Sequence, residues 1–107
     1  MSLWDQLSDQ AREALVVHIV GELPRSRVPE HLREGLVRYF ADGILPGSFL
    51  QAVLVNDLMS AVMRADPFSL VSVGHIAAFL VDHAPAGAWG SREAVLAWTT
   101  TPSRLEV

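Results

Sequence analysis

Four histidines, His18, His31, His75 and His83, are the side chains best suited to proton transfer or metal ligation near neutral pH. No two of them stand three or four residues apart, so no single helix face offers a pair of imidazoles to one zinc ion. His31 and Glu34 share a helix face, but a di-iron bundle needs two such motifs and further inward carboxylates. His75 and Asp82 share a face with Ser72 and lie two helical turns apart, beyond hydrogen-bond reach unless other groups bridge them. Cysteine is absent, which excludes thiol nucleophiles, disulfide frameworks and thiolate metal clusters. The turn Gly43-Ile44-Leu45-Pro46-Gly47-Ser48 has the small residues of a phosphate loop without its lysine or preceding strand, and Pro46 removes an amide donor. The expectation is a protein that is not an enzyme, with no metal and no cofactor.

A second polar pattern is the strip Asn56, Asp57, Ser60 and Arg64, set three, four or seven residues apart in an otherwise apolar run. Two readings fit it. The strip is a recognition groove on an apolar helix, or it is an ordinary buried network or solvent-facing edge. In the buried case Asp57 needs a partner, since an unpaired carboxylate there is costly. Arg64 lies two turns away, so Ser60 is the natural bridge.

The helices that must position these groups follow from periodicity and caps. The first is expected over 3–20, with Ser2 as N-cap, Asp5 in the first turn and Gly21 as the left-handed residue after its end. Residues 15–20 also have strand character, but their continuity with Ala11 to Leu15 favours helix. The second begins at Pro29 and ends at Gly43, with Leu32, Leu36, Tyr39 and Phe40 as its apolar stripe. Gly35 inside it calls for a close helix–helix approach. The third covers about 46–65 with Ser48 and Gln51 as a capping box, and it is apolar nearly all round. Its central position would place Leu54 and Leu58 at the middle of the fold. Asp66-Pro67 starts a fourth helix running to about His83, with Ser72, His75, Phe79 and Asp82 opposite its most apolar side. Ser91 caps a last helix through Trp98, and 101–107 form a tail. The fold class expected is all-α, a single-domain bundle of four to five helices around a central apolar helix.

Order as well as type matters in the stretch Tyr39, Gly43, Pro46-Gly47-Ser48-Phe49-Leu50, Ala52-Val53-Leu54 and Asn56-Asp57-Leu58, followed by Trp89-Gly90-Ser91, Val95 and Trp98. Across residues 28–98 this resembles a family of small uncharacterised proteins of phages, prophages and plasmids in Gram-negative bacteria. The resemblance implies a mobile-element setting and assigns no catalytic residue. Helix 3–20 stands outside the shared region as an addition, and the link around Asp66-Pro67-Phe68 is shorter than that family's usual one.

Twelve acidic against eight basic residues, all arginine, give a net charge of −4, and the pI is near 5.4. Broad attraction to phosphate backbones is therefore not expected. Arg25, Arg27, Arg33 and Arg38 cluster, but Glu30 and Glu34 dilute them into a solvated face. Asp5 and Asp9 precede the first apolar segment, which argues against a secretory signal, and Pro67 to Val81 is too short to cross a bilayer. A cytoplasmic location without membrane contact is expected.

Half of the 107 residues are apolar and the mean hydropathy is +0.29. A domain of this length buries about two-thirds of its unfolded surface, which leaves apolar material for association. The function expected is docking on a protein partner or self-association into a homo-oligomer, with Trp4, Val16, Val17, Ile19 and Val20 contributing. Two alternatives stand beside it: a helix-turn-helix DNA-binding regulator using Arg25 to Arg38, and a small enzyme.

Overall fold

Serines and aspartates divide the chain more finely than its hydrophobic periodicity predicts. The computed structural model describes residues 1–106, and all regular structure among them is helical, with no strand. Helices α1 (Leu3–Gln6) and α2 (Asp9–Glu22) replace the single helix expected over 3–20. Ser2 and Asp5 form a reciprocal capping box on α1. Two residues after α1 ends, the Ser8 hydroxyl accepts from the Ala11 amide at 3.1 Å and opens α2. Arg12 locks the pair together. Its guanidinium donates to the Trp4 and Asp5 carbonyls at the end of α1, the former shared with the Leu7 amide, and stacks 4.0 Å over the Trp4 ring. Residues 15–20 are helical, as read from the sequence. Gly21 lies inside α2 instead of ending it.

A 3-10 turn (Leu23–Arg25) leads to α3 (Glu30–Asp42), which buries Leu36, Tyr39 and Phe40. Pro29 stands just before α3, one position earlier than expected. Gly43 ends it at φ 70°. Space also demands glycine there, because a Cβ would sit 2.9 Å from Thr100 Cγ2 and 3.2 Å from the Trp4 ring. At Gly35 a Cβ would stand 3.1 Å from Leu50 Cδ1 and 3.3 Å from Pro46 Cβ, which is the close approach that its presence in a helix implied.

The expected central helix over 46–65 is two helices, α4 (Ser48–Leu54) and α5 (Leu58–Arg64). Between them the Asn56 amide donates to Val53 O at 3.1 Å and the Asp57 amide to Ala52 O at 2.9 Å, the paired bonds of a Schellman ending. Asn56 supplies the left-handed residue at φ 64°, a conformation its short polar side chain tolerates better than most. Asp57 then caps α5 by accepting from the Ser60 amide at 3.0 Å. The capping box expected at Ser48 and Gln51 does not form; Gly47 is the N-cap. Gln51 is instead buried and holds the C-terminal segment, donating to Pro46 O and Arg104 O and accepting from the Glu106 amide.

Asp66 caps α6 (Pro67–Leu70) through the Ser69 amide at 2.7 Å. The helix expected over 67–83 breaks at Val71 and Ser72 and resumes as α7 (Val73–His83). Phe79, assigned from the sequence to the polar side of that helix, is buried with Ile76 and Leu80. After a 3-10 turn (Ala86–Ala88), Ser91 caps α8 (Arg92–Trp98) as expected.

The elements close on one core. Trp98 Nε1 donates to Tyr39 O, the Tyr39 hydroxyl donates to Ala88 O, and both rings pack with Phe40. Thr99 Oγ1 and the Thr100 amide both reach Gly43 O at 2.7 Å. The radius of gyration of 12.8 Å is close to the ~13 Å of a single compact domain of about this length. No helix is long and apolar enough to cross a membrane, among the described residues.

Candidate docking face

The break at Asn56 and Asp57 decides where the apolar surplus goes. At 3.6 residues per turn, Leu58, Val62, Met59 and Met63 fall within a roughly 140° arc of α5. Ala61 lies on the inward side and is buried, whereas the other four apolar residues of α5 are exposed, from 40% at Val62 to 82% at Met63. Four residues beyond the end of α5, Phe68 is 76% exposed, and Val71 is 78% exposed. Leu70 is partly exposed as well. A shallow apolar notch of about 90 Å³ borders this surface, lined by Val53, Leu58, Ala61, Val73 and Ala77, with Asn56 and Asp57 at its rim.

The charges around this face are satisfied within the chain. Asp57 accepts from the Ser60 hydroxyl at 2.7 Å as well as from its amide, and these bonds hold its carboxyl below the usual aspartate range. The Ser69 amide does the same for Asp66. Arg64 pairs with Glu106 at 3.3 Å. The strip Asn56, Asp57, Ser60 and Arg64 therefore does not lie along one helix, and Asn56 and Arg64 are exposed. It is a helix-ending residue, a cap and its partner, and a tether to the C-terminal segment.

The residues singled out in α1 and α2 separate. Trp4 is half-buried, its indole N–H donating to Ala41 O at 2.9 Å, and Ile19 is buried in the core. Ile19 is therefore closed to a docking face, while Trp4 keeps part of its ring accessible. Val16 is half-buried, while Val17 and Val20 are exposed on α2. The larger apolar exposure, over 58–71, was hidden from sequence reading because the run looked like one engulfed helix. The signal that could have found it is Asn56 followed by Asp57 with Ser60 three residues on, a helix end and a helix start back to back.

In a helix-turn-helix made of the second and third expected helices, α4 would enter the groove, but its Phe49, Leu50, Gln51, Ala52 and Leu54 are buried. Arg25, Arg27 and Arg38 are exposed, and Arg33 is held by Val28 O at 3.0 Å. Ser72 is buried and donates to Phe68 O, so it does not join His75 and Asp82. Those two line a shallow cavity of about 250 Å³ with Glu22, Arg25, Arg27 and His83. Comparison with protein-family models, curated proteins and solved structures gives no match.

Proposed function

We propose that this chain is a non-catalytic docking protein of mobile-element origin that acts in the cytoplasm. A protein partner or a second copy covers its α5–α6 surface. The observation that carries this reading is the exposure of seven large apolar side chains between Leu58 and Val71, with no free charge among them. Each such side chain offers on the order of 100 Å² of apolar surface, and together they approach the ~800 Å² that one partner contributes to a standard interface. An exposed apolar area of that size marks an interaction site more often than idle surface. The mobile-element setting rests on the resemblance over residues 28–98.

Size-exclusion chromatography with light scattering across micromolar concentrations tests the self-association arm, comparing the native chain with Met63→Glu and Phe68→Glu. A dimer or larger species that the substitutions dissociate supports it. A native monomer leaves the partner arm, which requires a protein from the native host that binds the native chain and is lost with either substitution. A monomer that binds no such protein overturns the proposal. For the DNA-binding alternative, filter binding at low salt should give an affinity that falls steeply as salt rises.

A further inference from the structure

Two histidines that the sequence keeps 65 residues apart meet where α2 packs on α7. His83 Nδ1 stands 3.2 Å from His18 Nε2, and the ring centroids are 5.2 Å apart at a 52° tilt. On a tetrahedral ion with nitrogen ligands at about 2.05 Å, two imidazole nitrogens lie about 3.3 Å apart and their centroids about 5.2 Å. Nitrogens facing head-on at 3.2 Å would put the centroids about 5.5 Å apart, longer than observed. The rings therefore lean off the line joining their nitrogens, a geometry that accommodates both the hydrogen bond between them and a single shared ion in its place.

The surroundings of His83 fit a metal ligand. Glu22 Oε2 lies 3.8 Å from its other nitrogen, Nε2, where a carboxylate favours the Nε2–H tautomer and leaves the Nδ1 lone pair free for a metal. Phe79 packs against the ring with centroids 5.1 Å apart and restricts its rotation. His18 is exposed and Glu22 and His83 are partly so, which lets a hydrated ion approach. Arg25 and Arg27 line the adjoining cavity, balanced by Glu22 and Asp82. Among the described residues no three or more His, Asp or Glu side chains are grouped to hold a metal ion, so any further ligands must come from water.

From this geometry we infer that His18 and His83 form a two-imidazole surface site for a divalent transition metal of the zinc, nickel or copper class. The ion clamps α2 to α7, with Glu22 as the positioning carboxylate. Imidazole ligation excludes magnesium and calcium, which take oxygen ligands.

Calorimetric titration of the full chain with Zn²⁺ at pH 7.5, with Mg²⁺ as control, tests the site. The expected result is saturable binding of one Zn²⁺ per chain and none of Mg²⁺. His18→Ala and His83→Ala each weaken it at least tenfold, Glu22→Gln weakens it severalfold, and His31→Ala and His75→Ala leave it unchanged. Zn²⁺ is also expected to protect His18 and His83 of the native chain, and not His31 or His75, from carbethoxylation by diethyl pyrocarbonate. That arm uses the native chain and stands even if a variant fails to fold. Absence of saturable binding below millimolar Zn²⁺, equal binding by His18→Ala, or equal modification of His18 and His83 with and without Zn²⁺ overturns the site.

Discussion

Helices α4 and α5 are the same length, lie one after the other and are both rich in large apolar residues, yet their fates are opposite. In α4, Phe49, Leu50, Ala52 and Leu54 are buried, and even Gln51 is enclosed; in α5 only Ala61 is buried. Composition does not distinguish them. The difference comes from the Schellman ending at Asn56, which terminates the first helix and lets Asp57 start a second one. A greasy run is therefore a core element only as far as its backbone continues along the core.

The largest expected effect breaks that contrast directly. Leu54→Ala removes a fully buried side chain and should cost about 2–5 kcal/mol in denaturant unfolding. Met63→Ala, at a mostly exposed position, should stay within about 0.5 kcal/mol. Equal costs would mean that the two helices are not packed as described. Next comes the junction. Asn56→Val places a β-branched residue at φ 64° and should destabilise by about 1–2 kcal/mol, whereas Asn56→Gly should be neutral or slightly stabilising. The same unfolding curves distinguish these outcomes.

A smaller effect sharpens the role of the caps. Ser2 lowers the carboxyl of Asp5 chiefly through its hydroxyl, Ser60 does so for Asp57, and the Ser69 amide acts on Asp66. Each folded-state value lies below the ordinary 3.8. The unfolded chain therefore binds protons first as the pH falls. The stabilisation is complete above about pH 5 and is lost as acid takes the pH through 3.8 and below. Thermal melts between pH 7 and pH 3 should show this decline, and Asp57→Asn should flatten part of it.

Much of the fold is legible before any coordinates. The helical class, the start of α8 at Ser91, the cap at Asp66, the stop at Gly43 and the stripe Leu36, Tyr39 and Phe40 all follow from local chemistry. The misreadings share one cause. Helical periodicity runs on through the capping residues at Ser8, at Asn56-Asp57 and at Val71-Ser72, because an apolar run gives no sign of where its direction changes. Gln51 shows the reverse problem: it reads as a capping residue, but its amide is used by the C-terminal segment, a partner 53 to 55 residues away that no local window contains. The meeting of His18 and His83, 65 residues apart, is invisible to a local window for the same reason. Surplus hydrophobicity is legible in the composition, but its place is not: the apolar end of α2 includes Ile19, which belongs to the core, and the larger exposure lies over 58–71.

Methionine oxidation by dilute peroxide, followed site by site by mass spectrometry, tests the placement of α5 most directly. The chain has only three methionines, Met1, Met59 and Met63, and Met1 is 97% exposed, so it serves as the internal standard for an open thioether. In dilute protein, Met59 and Met63 should form sulfoxide at rates close to that of Met1, with the fold intact by circular dichroism. Oxidation at both sites many times slower than at Met1, at every dilution, would place α5 inside the core and contradict the account.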